Sequence, residues 1–528
     1  MNFSNSYITL GKPFYQNVLP EKVCAPAVLL WNQSLAEQLK VEERLCKDPK
    51  QQAQFFSGNQ MFAESESIAL AYSGHQFGHL NPQLGDGRAH LLGEVIDCEG
   101  NRKDIQLKGS GRTLWSRQGD GRCAIGPALR EYIMSEALFF LGVPTTRCLA
   151  VIASGENVFR ETEKPGAIVT RIASSHIRVG TFQYFAIKSD MESLLLLTDY
   201  TITRHFNFIN AAANQTLENR VLSLLKAVME KQSEMVINWL RIGFIHGVMN
   251  TDNTPIFGET LDFGPCAMIN QYRAGTVFSS IDINGRYAFN QQLNITVWNM
   301  SRFAECLMML LIQFGDKSQV DVIAQIEPLL VDFQKELHEK SDLMYANKLG
   351  FDKVDEFSKA STEALLSLME QSELDYTNTF SRLTRSISPH LSKELPPSLL
   401  KEENLGDFLE SFELPASLRT WYIDWHKNLD SSRGNQNVSE QHIISNKTKE
   451  YTLMIKSNPV MIPRNHQVEQ LLSLCELGQE QGNIAIALKA VNDYLEALKT
   501  PYEDNQNTEK YLYNPEQSDD YYQTFCGT

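Results

Sequence analysis

Two short stretches of the sequence place oxygen-bearing side chains at a spacing that suits a divalent cation. His246 lies seven residues before Asn253, and the tripeptide Asp262-Phe263-Gly264 begins nine residues after that Asn. Mg²⁺ prefers oxygen ligands and usually takes one or two protein side chains together with phosphate oxygens. Asn253 and Asp262 are therefore candidate ligands of a metal ion that neutralises a phosphate group.

The first stretch has the spacing of a protein-kinase catalytic loop, H-R-D-L-x-x-x-N, which D-F-G follows. One position differs: Val248 stands two residues after the His, where a kinase has its catalytic Asp. An Asp stands instead at 252, directly before Asn253. Asp252 either accepts the proton of a substrate hydroxyl or closes an Asx-turn on its own backbone. The spacing alone leaves both interpretations open.

Lys108 ends the segment IQLKG, which has the residue pattern of a strand. In protein kinases, a Lys on a strand contacts the phosphates of ATP and pairs with a Glu on a helix. The helix predicted over 127–141 offers Glu131 and Glu136. Glu131 is nearer in sequence and lies beside the apolar stripe of that helix, so we expect it to be the partner. The alternative is a lysine that simply faces solvent, which is the commoner position for this residue type.

Two Gly-Asp-Gly-Arg turns and two further arginines surround these segments. Glycines let backbone N–H groups approach an anion closely. One arginine guanidinium can donate hydrogen bonds to two phosphate oxygens at once. Ordinary hairpin turns would contain the same glycines, so the arginines carry more of the argument. The candidate nucleotide contacts are Gly85, Gly87, Arg88, Lys108, Asp120, Gly121, Arg171, Arg178 and Asp262.

This surplus of cations bears on which phosphate would be transferred. A conventional kinase places the γ-phosphate of ATP beside its metals. If the extra arginines hold the β- and γ-phosphates, the α-phosphate lies beside Asn253 and Asp262 instead. Pyrophosphate would then leave and AMP would be transferred. The residues alone leave open a conventional phosphotransferase and a catalytically inactive nucleotide-binding pseudokinase.

The elements that must position these residues change in character along the chain. AHLLGEVI (89–96) and IQLKG predict a β-hairpin, and CLAVIA (148–153) and GAIVTRI (166–172) predict further strands. Residues 221–240 predict a long amphipathic helix that ends at Gly243. Residues beyond about 330 have a helical pattern, with a surface loop at 428–441 and a loose acidic tail after Pro501. We therefore expect an α+β fold of the two-lobed, protein-kinase-like kind.

The predicted boundaries follow from that order of elements. Residues 1–190 would form a β-rich nucleotide-binding lobe, and residues 191–330 a helical catalytic lobe that carries the catalytic loop and D-F-G. Residues 331–528 would form a helical C-terminal extension and tail.

Composition narrows the classes of partner. The formal net charge of −16 argues against binding to nucleic acid or to an anionic membrane surface. We find no apolar run long enough to span a bilayer, and the first residues lack the pattern of a signal peptide. The nine cysteines are scattered, without a CxxC pair, which is typical of a reducing compartment. We expect a cytoplasmic monomer.

Long segments of the chain closely resemble the selenoprotein O family, also called the YdiU family. The resemblance is carried by YSGHQFGHLNPQLGDGRAHLLGE, QLKGSGRTLWSRQGDGRCAIGPALREYIMSEALFFLGVPTTR, VTRIASSHIRVGTFQYFA, HGVMNTDNTPIFGETLDFGPCAM and SNPVMIPRNHQVEQ. It implies a kinase-like fold that binds ATP in a flipped orientation and transfers AMP to Ser, Thr or Tyr hydroxyls of proteins. It implies that Asp252 is the proton acceptor, that Asn253 and Asp262 bind Mg²⁺ or Mn²⁺, and that the nucleotide contacts named above hold ATP.

The same resemblance raises a redox hypothesis. Members of the family carry selenocysteine or cysteine near the C-terminus, and this chain has Cys526. A regulatory disulfide to the segment after D-F-G would use Cys266, two residues beyond that tripeptide. The alternative is that both are ordinary cysteines.

Overall fold

The computed structural model describes residues 1–212, 216–315, 317–388, 410, 413–431, 440–512 and 522–524. The strands in this part of the chain are β1 Tyr15–Asn17, β2 Ala27–Trp31, β3 Ile68–Leu70, β4 Gly74–Gln76, β5 His79–Asn81, β6 Ala89–Ile96, β7 Arg102–Lys108, β8 Cys123–Ala124, β9 Arg147–Phe159, β10 Glu163–Ala173, β11 Phe244–Ile245 and β12 Ala267–Met268.

The helices follow the same order along the chain, and most of them lie after the strands. They are α1 Gln33–Gln38, α2 Glu43–Cys46, α3 Pro49–Phe56, α4 Ile125–Phe140, α5 Val179–Ile187, α6 Met191–His205, α7 Phe208–Ala211, α8 Leu217–Ile242, α9 Gln292–Phe314, α10 Gln319–Lys348, α11 Glu356–Gln371, α12 Tyr376–Ser386, α13 Arg419–Ser431, α14 Glu440–Ser457, α15 Asn465–Glu480, α16 Ile484–Leu498 and α17 Gln506–Glu509. The protein is thus a mixed α/β chain.

An antiparallel sheet organises the N-terminal part. Its strand order is β1-β3-β6-β7-β10-β9-β2, with the short β8 paired to β10. Because side chains alternate along a strand, each strand places one set of residues on either face. Ile105, Leu107 and Ile168 pack with Leu35 and Phe56 on the face that α1 and α3 cover. The charged residues of interest lie on the other face.

Helix α4 covers that other face. Its Leu129 and Ile133 share a core with Val151 and Val169 of β9 and β10. The C-terminal helices α15 and α16 pack on the outer side of α4 and bring Val468 into the same core. The helix that carries Glu131 is therefore held between the sheet and the C-terminal end of the chain.

Residues 464 and 465, near the C-terminal end of the chain, form hydrogen bonds with the segment after D-F-G. The side chain of Asn465 accepts a hydrogen bond from Met268 N at 2.8 Å and donates one to Met268 O at 2.8 Å, as a neighbouring strand would. Arg464 is fully buried and donates to Asn270 Oδ1 and Asp375 Oδ2, both at 2.8 Å. These contacts fix β12 from 197 residues further along the chain.

Helix α9 contradicts the expectation that the chain has no apolar run long enough to span a bilayer. Among the described residues, Phe289–Phe314 is the one helix long and apolar enough to cross a membrane by length and composition. Our expectation that no apolar run reaches that length overlooked it. Its most apolar stretch is 56% buried inside the protein, because α9 packs between α8 and α10. Core helices of globular proteins have the same composition.

Most predicted elements are confirmed, with shifted ends. The strand β7 begins at Arg102 rather than Ile105, because the polar residues 102–104 pair in register with β6. Helix α4 begins two residues before Pro127, and α8 ends where Gly243 adopts φ 76°. The predicted loop 428–441 is wrong at both ends, since α13 continues to Ser431 and α14 begins at Glu440. Residues 432–439 of that loop lie outside the described residues.

Candidate active site

A two-stranded ribbon closes the loop that carries the candidate metal ligands. Phe244 of β11 pairs with Met268 of β12, and Ile245 pairs with Ala267. Residues 246–266 therefore form a loop whose two ends lie side by side. His246 Nε2 bonds to Leu261 O at 3.0 Å, while its Nδ1 accepts a hydrogen bond from Val248 N at 3.3 Å. This buried imidazole ties the loop before Asn253 to the residue before Asp262.

Lys108 joins the sheet to both neighbouring segments. Its Nζ lies 2.7 Å from Glu131 Oε2 on α4 and 2.6 Å from Asp262 Oδ1. The predicted pairing of Lys108 with Glu131 is thus confirmed. Glu136, the other acid considered, binds Arg147 instead, at 2.6 Å to Nε. Lys108 is buried, so the solvent-facing alternative is wrong for this lysine.

Arg171 completes the ion cluster from the next strand. It lies opposite Gln106 in the β7–β10 register, and Gln106 shares the face of Lys108 because it is two residues away. Arg171 Nε donates to Glu131 Oε1 at 2.7 Å, and its Nη2 lies 4.0 Å from Asp262 Oδ1. Burial opposes ionisation of Asp262, but Lys108 and Arg171 outweigh it and hold the pKa of that carboxyl well below its usual range.

Arg178 links this cluster to the loop that carries Asp252. Its Nη1 donates to Asp252 O at 2.9 Å, and its Nη2 lies 3.4 Å from Asp86 Oδ1. Asp86 in turn accepts a hydrogen bond from Gln106 Nε2 at 3.1 Å. Backbone bonds strengthen the link, because Val179 N donates to Thr254 O at 2.9 Å. The start of α5 and the loop that carries Asp252 are therefore joined by both side-chain and backbone hydrogen bonds.

Asp252 has the surroundings of a proton acceptor. Its side chain accepts one hydrogen bond, from Gln76 Nε2 to Oδ2 at 3.3 Å, and Oδ1 has no partner among the described residues. Burial raises the pKa of Asp252 to about 6, although the Arg178 charge opposes the shift. A carboxylate with a pKa near the working pH is suited to general base catalysis. The backbone N–H of the same residue also favours the ionised form of this carboxylate, so the Asx-turn interpretation stays open.

Asn253 and Asp262 offer the oxygen donors that a hard cation needs. Asn253 ends a short 3₁₀ turn, Thr251–Asn253, and its Nδ2 donates to Val248 O at 3.1 Å, which leaves the amide oxygen for another partner. The Asp262 side chain is 32% exposed and its backbone is left-handed, with φ 70°. In the described part of the chain no group of three or more His, Cys, Asp or Glu side chains forms a metal cage. The donor set therefore fits Mg²⁺ or Mn²⁺ bound through few protein ligands and completed by phosphate oxygens.

The first glycine turn lies at the edge of this cluster. Gly85 has φ +74°, and a Cβ there would come within 2.3 Å of the Trp115 ring. Gly87 lies against the Trp115 carbonyl. Arg88 follows, its backbone oxygen accepting Gly109 N at 2.7 Å, and its charge helps to lower the pKa of Asp262. This turn therefore brings its backbone to the end of β7 and the charge of Arg88 near Asp262.

The second glycine turn is placed differently. Asp120 pairs with Arg160 at 2.8 Å and accepts the Arg122 N–H at 2.9 Å, rather than contacting Lys108 or Asp262. Gly121 has φ +70° and packs directly on the backbone of Gly111. Asp120 and Gly121 thus shape the loop beyond the end of β7.

Three residues at the site were missed by the sequence analysis. Asp86 lies inside the first Gly-Asp-Gly-Arg turn and connects Gln106 with Arg178. Gln106 could have been found, because it is two residues from Lys108 on one strand. Gln76 could not, since its contact with Asp252 joins positions 176 residues apart.

The structure describes one of the two cysteines of the redox hypothesis. Cys266 is buried, and burial raises the pKa of its thiol to about 12 against the lowering effect of Arg130. Cys526 lies outside the described residues. Thr524 does not, and its Oγ1 donates to Pro265 O at 2.7 Å, so the tail reaches the residue before Cys266.

Comparisons with known proteins identify the family of this chain. The family model described as "Protein adenylyltransferase SelO" matches residues 1–491. Proteins named "Protein nucleotidyltransferase YdiU" are similar over their full length: that of Pseudoalteromonas translucida is 43% identical over 528 residues, covering 100% of both chains. That of Teredinibacter turnerae is also 43% identical over 528 residues with 100% of both covered. That of Geobacillus kaustophilus is 43% identical, covering 100% of this chain and 99% of the relative. This chain therefore belongs to the SelO family.

Proposed function

We propose that this protein is a protein adenylyltransferase that transfers AMP from ATP to Ser, Thr or Tyr hydroxyls of other proteins and releases pyrophosphate. The observation that carries the proposal is the set of cations on the sheet side. Lys108, Arg171 and Arg178 all lie within one chain of contacts that ends at Asp262 and Asp252. A kinase needs one such lysine; this site adds two guanidinium groups near it, which supports contacts with the outer phosphates as well.

The contacts at the site also support a more specific description of the fold than mixed α/β. The Lys108–Glu131 ion pair, the His246–Asn253 spacing and the Asp262 segment are the parts expected of a two-lobed, protein-kinase-like fold, which we propose for this chain. We take residues 1–190 as the β-rich lobe, 191–330 as the helical catalytic lobe and 331–528 as a helical extension with the tail. ATP would lie between the first two.

Each residue has a role in the proposed reaction. Gly85, Gly87, Arg88, Lys108, Asp120, Gly121, Arg171 and Arg178 would hold ATP, with Asp262 close to the nucleotide. Asn253 and Asp262 would hold Mg²⁺ or Mn²⁺, which when bound stabilises the charge that develops on the phosphate. Asp252 would accept the proton of the acceptor hydroxyl. The hydroxyl oxygen forms a bond to the α-phosphorus, and the bond from that phosphorus to the bridging oxygen breaks, so pyrophosphate leaves with the electron pair.

We further propose that the protein acts as a cytoplasmic monomer on protein substrates and without nucleic acid or membrane. Its net charge of −16 supports the last two points.

Parallel reactions with ATP labelled at the α- or the γ-phosphate test the proposal. With Mg²⁺ or Mn²⁺ and a mixture of acceptor proteins, we expect protein-bound label from the α-position only, together with one pyrophosphate released per label. Label from the γ-position would mean a conventional phosphotransferase. ATP binding without label from either position would mean an inactive nucleotide-binding protein. The Asp262→Ala variant, which lacks a metal ligand, serves as the negative control.

A further inference from the structure

The β4–β5 hairpin connects Asp252 to a cationic surface that none of the proposed ATP contacts uses. Gln76 in this hairpin donates to the Asp252 carboxylate. His75 N donates to Thr251 Oγ1 at 2.7 Å, and Phe77 N donates to Asn250 Oδ1 at 3.1 Å. The hairpin is thus anchored on the residues that precede the candidate base.

Arg286 lies beside the turn of this hairpin and has no carboxylate partner among the described residues, although its guanidinium interacts with the Tyr287 hydroxyl. A Cβ built on Gly78 would be 3.6 Å from the Arg286 Cζ, so the turn packs against the guanidinium. The Arg286 Cζ also lies 4.6 Å from the centre of the Trp298 ring. Its Nε and Nη2 have no hydrogen-bond acceptor among the described residues. Asp282, the nearest acid in sequence, is occupied by the backbone N–H groups of residues 286 and 287, at 2.9 and 2.7 Å.

The unpartnered edge of Arg286 is the one that binds carboxylates elsewhere in this molecule. Arg147 uses Nε and Nη2 to hold both oxygens of Glu136, at 2.6 and 2.5 Å. Leaving such donors buried and unsatisfied is costly, so the described residues leave a position for an oxyanion that comes from elsewhere. The long side chain can turn this edge outward while its face remains on Trp298.

The surroundings of Arg286 favour an anion from a protein. Arg302 also lies near the Trp298 ring, with its Cζ 5.2 Å from the ring centre, and pairs with Glu305 at 2.7 Å. Two acids of this region already have partners: Asp282 accepts backbone N–H groups and Glu305 pairs with Arg302. A stacked arginine beside a partly exposed tryptophan is the composition of protein–protein hot spots.

We propose that Arg286 determines acceptor specificity by binding the carboxylate of an Asp or Glu that flanks the hydroxyl to be modified. The proposal rests on the proposed function, because Asp252 must meet that hydroxyl. Arg286 packs against the hairpin whose Gln76 contacts Asp252. Arg178 contacts the backbone oxygen of Asp252 from the sheet side. The substrate class is therefore an acceptor segment with an acidic residue near its Ser, Thr or Tyr.

Matched acceptor peptides test this assignment with the full-length protein. Each peptide carries one Ser, and one flanking position at a time holds Asp, isosteric Asn or phosphoserine. Label from the α-phosphate of ATP is followed, and ATP affinity is measured separately. We expect kcat/KM to be roughly 10- to 100-fold higher for an Asp peptide than for its Asn partner, the span of a charge-assisted hydrogen bond. Arg286→Gln should abolish that preference and leave Asn peptides and ATP affinity unchanged.

The control variant and the contrary outcomes separate this proposal from the proposed function. Arg44→Gln alters an exposed arginine on α2, at the opposite face of the sheet, and should keep the acid preference. Equal labelling of Asp and Asn peptides, a preference that survives Arg286→Gln, a stronger preference for phosphoserine, or weaker ATP binding in Arg286→Gln would each overturn the assignment while α-label transfer stands. No α-label on any protein or peptide would instead overturn the proposed function, and this assignment with it.

Discussion

The two sides of the candidate site differ in how their charges are partnered. On the sheet side, Lys108, Arg171 and Glu131 are buried and each has opposite charge within 2.7 Å. On the hairpin side, the Asp252 carboxylate has one oxygen without a partner and Arg286 has two nitrogens without one among the residues described. Before substrate arrives, each of these sheet-side charges therefore has an opposite charge beside it, whereas Arg286 has no carboxylate partner among the described residues.

This difference fits a division of labour between two substrates. A fixed ion cluster holds its geometry, which suits a ligand of constant shape such as a triphosphate. Unsatisfied groups need a partner from outside, which suits an acceptor that varies from one protein to the next. Substitutions on the sheet side should therefore affect both stability and nucleotide handling, while those on the hairpin side should affect chemistry and acceptor choice.

The largest effect is expected from Asp262→Asn. The change replaces a charged metal ligand by a neutral amide and removes the negative charge that faces Lys108 and Arg171, so the metal is held less well and the phosphate loses charge stabilisation worth several kcal/mol. Transfer of α-label at saturating ATP should fall by at least about 10³-fold, since each 1.36 kcal/mol is a factor of ten. Asp493→Asn, an exposed carboxylate on α16, should transfer at the normal rate. A rate for Asp262→Asn within tenfold of the parent would mean that the metal binds elsewhere.

Asp252→Asn should act on the chemical step alone. Removing a general base slows turnover by roughly 10² to 10⁴. The dissociation constant for ATP, measured by calorimetry, should stay within about threefold, because Arg178 contacts the backbone oxygen of this residue and keeps that contact. Weakened ATP binding at unchanged turnover would assign Asp252 to the nucleotide rather than to the proton.

Arg171→Met tests whether the sheet-side charges act as one unit. The substitution leaves the buried Glu131 with Lys108 alone, and breaking a buried ion pair lowers the free energy of unfolding by about 3 kcal/mol or more. Urea unfolding followed by circular dichroism measures the loss. Adding Glu131→Leu should recover part of it, because the uncompensated carboxylate is then gone. Additive losses in the double variant would show that the two residues do not interact.

The pH dependence of turnover reports on Asp252 directly. Its pKa is raised to about 6 by burial, and only the deprotonated carboxylate can accept a proton. Log kcat should therefore rise with unit slope up to about pH 6 and level off above it. The hydrogen bond from Gln76 favours the ionised form, so Gln76→Leu should move the midpoint to higher pH, by less than about one unit. A profile that is flat from pH 5 to about 8 would exclude this carboxylate as the base.

The sequence predicts those parts of the site that depend on local pattern. The β6–β7 hairpin and α4 follow from alternation and helical periodicity, and together they place Lys108 against Glu131. The contacts of Gln76 and Asn465 join segments 176 and 197 residues apart, and single-sequence periodicity carries no information about such pairs. Asn465 stands within a motif that identified the family, yet its role on β12 became visible only when both segments were placed together.

Arg286→Met is the counterpart of Arg171→Met on the hairpin side, and its effect on stability should be the smallest. A methionine keeps the apolar contact with Trp298 and removes two donors that lack a partner, so no buried charge is left uncompensated. The free energy of unfolding should change by less than about 1 kcal/mol in the same urea experiment. A loss as large as that of Arg171→Met would mean that Arg286 has an acceptor inside the protein. Its unpartnered edge would then no longer indicate an acidic acceptor segment, even if α-label transfer is intact.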